Sequence, residues 1–189
     1  MALILTAAPG TEPVTLAEAK AHLRVDGTAE DALISSLILT ARLHVEAALG
    51  LALITQGWSY LLDAWPDGAV RLPIRPVESV SAVKVTAADG EVSVLAPERY
   101  VLDGAGSPPR LVPVDGPFPD PGAAALGIEI AFIAGYGESA ADVPAPIRQA
   151  LLQLIAHWFE HREPVDDAAV TRIPSSVSEL LMPYREARL

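Results

Sequence analysis

Apolar positions along this chain change their spacing twice. Over residues 14–50 they recur at helical spacing. Val14-Thr15-Leu16-Ala17-Glu18 opens a first helix: Thr15 can cap it, and Glu18 follows three residues on, as a capping box requires. Leu16, Ala19 and Leu23 fall on one side, and the helix ends near Asp26-Gly27. A second helix starts after Thr28, with Asp31 at its third position, and stops at Gly50. Leu33, Ile34, Leu37, Ala41, Val45 and Ala48 form its main apolar stripe. Leu39 and Leu43 lie on the other side with Ala32, so this helix has two apolar faces. Either a loop or β region of the same chain covers the second face, or that face is a subunit interface.

From about Ile54 to Ile133 the spacing becomes that of strands. Trp58, Tyr60 and Leu62 alternate with smaller or polar residues, as do Val83 and Val85 with Lys84 and Thr86. Asp89-Gly90 supplies the turn of a two-residue hairpin, and Val92 and Val94 continue on the return strand. Ile128, Ile130 and Phe132 make another alternating run. Prolines from Pro73 to Pro121 punctuate the region and predict short, edge-like strands, with a surface loop over 115–125.

Helical spacing then returns. Pro144 or Pro146 starts a third helix, where a missing amide costs nothing. Ile147, Leu151, Leu154, Ile155 and Trp158 make a broad apolar arc, and Pro164 stops it. An acidic linker over 165–174 leads to a short terminal helix around Ser175–Leu181, bent near Pro183. The predicted plan is a single α+β domain over 1–189: a helical bundle from 13–50 and 144–189, with an antiparallel β lobe inserted at 54–135.

Composition narrows the function classes. The chain has no cysteine, which removes disulfides, thiolate metal sites and cysteine catalysis. No apolar run approaches the ~18 residues of a membrane span. Met1-Ala2-Leu3-Ile4-Leu5 lacks the basic region and cleavage pattern of a signal peptide, so a cytoplasmic origin is expected. Lys and Arg total 13 against 24 Asp and Glu, for a net charge of -11. That balance disfavours a protein that grips DNA.

His157-Trp158-Phe159-Glu160-His161 matches the H-x-x-E-H pattern of inverted zinc peptidases and offers the alternative reading, a zinc-dependent hydrolase. Two histidines at this spacing share a helix face, and a glutamate between them could act as base. Against it, His157 and Glu160 lie on a polar stripe with Gln149 and Gln153, opposite the apolar arc. Glu179 and Glu186 are the credible third ligands beyond the adjacent Glu163. His44 sits at the edge of its helix's apolar stripe and is expected to be a partly buried packing residue; His22 shows no partner pattern. Gly104-Ala105-Gly106 runs into Ser107-Pro108-Pro109 and not into a helix, so it reads as a loop and not a phosphate cradle. Asp103 and Asp115 read as loop residues, and Ser35, Ser36, Ser175 and Ser176 have no glycine elbow. Trp58, Trp65, Trp158 and Phe159 are expected to pack in the core and not to stack on bases. No catalytic, metal or cofactor site is expected.

Several short strings, taken in order, carry a resemblance. They are Val14-Thr15-Leu16-Ala17-Glu18-Ala19-Lys20 with His22-Leu23-Arg24-Val25-Asp26, Glu30-Asp31 leading to Ala41-Arg42, and Ile54-Thr55-Gln56 with Trp58. Leu72-Pro73, Pro76-Val77 and Tyr100 follow, then Ala134-Gly135-Tyr136-Gly137 and Val143-Pro144 with Ile147. Trp158-Phe159-Glu160 with Arg162-Glu163, and Leu180-Leu181 with Tyr184-Arg185, complete the set. In order and spacing the chain resembles the head–tail connector, or adaptor, proteins of long-tailed bacteriophages and of phage-derived gene transfer agents. The resemblance implies a helical bundle with a β lobe and a function without catalysis. It implies a homo-oligomeric ring, a dodecamer, between the portal protein and a tail-side connector or stopper protein. Such a ring extends the DNA channel, docks the tail, passes DNA without specific binding and involves no membrane. The particle would assemble in the bacterial cytoplasm, with this chain at the head–tail junction. The resemblance places portal binding at Leu180, Leu181, Tyr184 and Arg185. A ring requires that one face of each subunit meet a different face of the next, and Leu39 and Leu43 are the candidate for one side. An acidic wall also suits a conduit, because it repels phosphate and lets DNA slide.

Overall fold

The computed structural model describes residues 1–161 and 173–186. The helix stop at Pro164, the ligand candidate Glu163 and most of the 165–174 linker lie outside them. The chain divides into two compact units: Met1–Pro9 with Thr55–Tyr136, and Gly10–Ile54 with Gly137–Leu189.

The helical unit holds α1 (Leu16–Leu23), α2 (Asp31–Leu49), α3 (Ala145–Glu160) and α4 (Ser175–Leu181). The capping box forms as read. The Thr15 hydroxyl accepts from the Glu18 amide at 3.2 Å, and the Glu18 carboxylate accepts from the Thr15 amide at 2.9 Å. The helix closes earlier than expected, at Arg24 in a left-handed conformation with φ 56°. Gly50 ends α2 in the same conformation, at φ 63°, where glycine is favoured because it has no Cβ. α3 begins after Pro144, as expected, and α4 runs into a 3-10 turn over Met182–Tyr184 that contains Pro183. The turn into α3 depends on Gly137: a Cβ there would lie 2.5 Å from the Asp142 carboxylate, which accepts from the Ser139 amide and hydroxyl. α3 packs against α1, α2 and α4, burying Ile147, Ala150, Leu151, Leu154 and Ile155.

The inward stripe of α2 is rotated from the expected one. Ile34, Ile38, Ala41, Val45 and Leu49 are buried, while Ala48 is exposed and Leu33 and Leu37 are half-buried. The expectation that nothing here reaches membrane-span length and hydropathy also fails, because α2 does so. Arg42 and Glu46 interrupt its apolar run, but the remaining residues are apolar enough to carry the helix over the threshold. A wall helix of a bundle satisfies the same criterion.

The β unit contains a five-stranded antiparallel sheet in the order β1-β2-β8-β4-β5. Its strands are β1 (Ala2–Ala7), β2 (Gln56–Leu62), β4 (Val77–Thr86), β5 (Val92–Val94) and β8 (Ile128–Ala134). A three-stranded sheet, β3-β7-β6, is made of β3 (Val70–Arg71), β6 (Tyr100–Asp103) and β7 (Arg110–Pro113). Register puts Ile128, Ile130, Phe132 and Ala134 on one face with Leu62, Tyr60, Trp58 and Gln56 of β2. Val85, Val83, Val80 and Val77 of β4 join them. On the other face, Glu129 accepts from Ser59 at 2.7 Å and from Lys84 at 3.1 Å, which holds its carboxyl below the usual range.

Two sequence expectations need correction here. The N-terminal segment, read only for a leader pattern, is edge strand β1, paired with β2 from Ala2↔Leu61 to Ala7↔Gly57. The hairpin between β4 and β5 is longer than two residues. Ala87 and Glu91 close it at 2.8 Å around Ala88-Asp89-Gly90, with Gly90 at φ 88°. An extra left-handed residue after a turn is the usual three-residue alternative.

Candidate docking surface

The outer side of α2 is unusual for a surface helix. Leu39 and Leu43 are 43% and 52% exposed. Around them lie Ala32, Ser35, Ser36, Thr40 and Ala47, all exposed and uncharged. The Thr40 hydroxyl is already satisfied, donating to the Ser36 carbonyl at 2.8 Å. The charges of the helix are elsewhere. Asp31 pairs with Lys20 at its start, while Arg42 and Glu46 are 6% and 8% exposed.

That inversion has a local cause. Arg42 donates to both oxygens of Glu12, at 2.8 and 3.2 Å, and to Glu46 at 2.8 Å. The second oxygen of Glu46 accepts the Leu53 amide at 2.9 Å. The network therefore ties the segment before α1 and the segment after α2 to the middle of α2. Burial works against the Arg42 charge, but the hydrogen bond to Glu12 and the charges of Glu46 and Glu12 outweigh it and raise its pKa. With the polar side of the helix spent inward on this network, the leucines are what remains outward. The sequence reading missed the network; the signal was an Arg-x-x-x-Glu pair on the inward side of an apolar helix.

The C-terminal candidates divide. α4 lies on α3, with Val177 and Leu181 buried and the Ser176 hydroxyl donating to Gln153 at 2.8 Å. Leu180 and Tyr184 are half-buried, and Arg185 is exposed. Arg185 and Glu186 form a cleft with Ala47, Ala48, Leu49 and Gly50, at the C-terminal end of α2 where a cation is favoured. The structure thus brings Arg185 to the end of the helix that carries Leu39 and Leu43.

The zinc-like string sits at the end of α3. His161 is the C-cap, its ring nitrogen Nδ1 lies 2.8 Å from the His157 carbonyl, and the two rings are 4.7 Å apart. Glu160, Glu179 and Glu186 are exposed. Among the described residues, no group of three or more His, Cys, Asp or Glu is placed to hold a metal ion. His44, expected to be partly buried, is exposed and meets the Trp158 ring edge-on at 5.8 Å. Asp103 is not a loop residue but ends β6. Its carboxylate accepts from Arg110 at 2.6 Å and from the Gly106 amide at 3.1 Å, so the Gly104–Gly106 turn is held by its own aspartate.

The β unit carries a second feature that the sequence did not announce. A cleft of about 370 Å³ is lined by Met1, Tyr60, Leu62, Ala64, Trp65 and Val70, among others. Trp65 stacks on Phe118 at 4.2 Å and donates to the Pro119 carbonyl at 2.7 Å. Asp63 accepts the Leu126 amide at 2.8 Å and pairs with the N-terminal amine at 3.1 Å, and both contacts lower its pKa. The loop over 115–125 is thereby pinned to the cleft wall, with Phe118 buried.

The family model described as phage gp6-like head-tail connector protein matches residues 13–90. Among curated proteins, none matches the chain. Solved structures do. A chain from the neck of an empty gene transfer agent particle, computed with C6 symmetry, is 30% identical with a TM-score of 0.86. The match covers 100% of this chain and 97% of that one. A chain from the virion of a native gene transfer agent particle is 29% identical over the same shares, with a TM-score of 0.85. A chain from the neck of a native particle, computed with C12 symmetry, is 28% identical at a TM-score of 0.84.

Proposed function

The chain belongs to the phage head–tail connector family, and we propose that it forms a homo-oligomeric ring, a dodecamer, between the portal protein and a tail-side connector or stopper. It is a structural protein of the head–tail junction of a virion or gene transfer agent particle, not an enzyme. In the ring it extends the DNA channel and gives the tail a docking surface. The observation that carries the reading is the outer side of α2, where Leu39 and Leu43 are exposed while the helix's Arg42 and Glu46 are buried. A surface helix that spends its ionic groups on its own bundle and offers uncharged side chains to solvent is built to meet another protein. The twelvefold and sixfold symmetry used for the similar neck structures supports a cyclic contact.

DNA passes through without specific binding. An excess of 24 acids over 13 basic residues repels phosphate, whereas a basic wall would hold it. Portal contact falls to the C-terminal segment. Arg185 and the outward part of Tyr184 can engage it with α4 in place, while Leu181 is already committed to the bundle and Leu180 is partly so.

The reading is tested with Leu39→Asp combined with Leu43→Asp. Each aspartate puts a charge into an apolar contact at a cost of a few kcal/mol, so copies per particle should fall at least ~10-fold. The melting temperature of the isolated chain should hold, because both side chains are exposed. Normal incorporation of the double variant would remove α2 from the interface.

A further inference from the structure

We propose that Leu39 and Leu43 of one copy seat in the Tyr60–Trp65–Val70 cleft of the next copy. The inference rests on the ring reading and identifies the other half of its contact. Cyclic rings are closed by heterologous contacts, so the surface that receives α2 lies elsewhere on this same chain. A two-fold contact of α2 with α2 would stop at a dimer.

The receiving surface must be concave, apolar and free of groups that would lose their partners on burial. The Trp65 cleft is concave and mainly apolar, with Asp67 and Arg71 the charged side chains of its lining. At about 30 Å³ per water-sized group, the eight side-chain carbons of two leucines fill roughly 240 Å³. The cleft offers about 370 Å³, so there is room for both and for the small Ser36 and Thr40 side chains beside them. Two of its polar groups are already engaged: the Trp65 ring nitrogen with the Pro119 carbonyl, and the Tyr60 hydroxyl with the Met1 sulfur at 3.5 Å. Burial therefore orphans none of these donors. The stack of Trp65 on Phe118 holds the wall in place before binding, which lowers the ordering cost. Asp67 and Arg71 are exposed, and the contact requires that both stay in water.

Two other clefts among the described residues fit less well. The one beside β5 is lined by Arg99 and Asp120, and the one at the end of α2 by Arg185 and Glu186. Neither has the tryptophan and tyrosine walls of the Trp65 cleft.

Because the chain has no cysteine, single thiols report the contact cleanly. Leu43→Cys and Ala64→Cys are made separately; both positions are exposed, and Ala64 lines the cleft. The two variants are co-expressed in particle-producing cells, and purified particles are treated with a bismaleimide of about 8 Å span, which adds one cysteine thiol at each end and tolerates more geometry than a disulfide does. A dimer joining the two variants, dominant over like-with-like dimers, is expected. A dominant L43C–L43C product, or no cross-link from chains present at normal copy number, would overturn the proposal while leaving the ring intact. Absence of the unsubstituted chain from finished particles would instead overturn the ring reading itself. In a second arm, Ala64→Trp fills the cleft from an exposed position. Copies per particle should drop at least tenfold with an unchanged melting temperature, and normal incorporation would count against the cleft.

Discussion

At the scale of single residues, Arg42 matters most. Its guanidinium serves Glu12 and Glu46 together and sits inside the bundle with only 6% of its surface exposed. Replacing Arg42 leaves Glu46 charged and buried beside the half-buried Glu12, which is far costlier than the net worth of the pair. Arg42→Ala should therefore destabilise the chain by about 3–5 kcal/mol, read as a lower denaturation midpoint in urea. A loss under 1 kcal/mol, roughly that of a surface pair, would show that solvent already screens the network. Thr15 and Glu18 were legible from sequence because a capping box is local: its atoms lie within four consecutive residues. Glu12 and Arg42 are thirty residues apart, and neither residue type announces a partner at that distance. The carboxylate of Glu18 also meets Arg148 of α3, a contact equally invisible in the string.

At the scale of elements, periodicity served the helices better than the strands. The glycine end of α2 and the proline start of α3 follow from breakers, which act within a turn, whereas α2 starts later than expected, at Asp31, with no side-chain cap. The rotation of the inward stripe of α2 does not follow from them, since it is set by which neighbours the helix meets. Strand β1 escaped because Ala2-Leu3-Ile4-Leu5 is apolar on both faces and shows no alternation; Leu3, Ile4 and Leu5 are in fact 37–48% exposed. Its place is fixed by tight passage over Gly57, where a Cβ would lie 3.0 Å from the Ala7 Cβ and the Thr6 hydroxyl. Gly57→Val should push β1 away at its bulge, costing about 1–3 kcal/mol as overpacking does. Hydrogen exchange of the β1 amides should rise above that of β2 and β8. Unchanged protection of Leu3 and Leu5 would mean that the edge strand absorbs the side chain without moving.

At the scale of the whole molecule, assembly sets attraction between apolar surfaces against repulsion between like-charged copies. Each copy carries a formal charge of -11. Repulsion across a ring acts over distances comparable to the screening length, about 10 Å in ~0.1 M salt and shorter above it. Apolar contact is not weakened by that screening. Association between copies should therefore strengthen from about 50 to about 500 mM salt, as followed by sedimentation. Weakening over the same range would point to complementary charges as the source of the contact. The family resemblance was legible because its short strings keep their order across the chain, and the matched neck structures cover its full length.

The sequence by itself determined the order of elements, the caps, the acid excess and the second apolar face of α2, because these are local patterns or sums over residues. Only the tertiary structure decided that this face stays open, that Arg42 and Glu46 point inward, that β1 completes a sheet edge and that Trp65 walls a cleft. Each of those depends on residues far apart in the chain arriving at one place, and pairing over such separations leaves no period in the string.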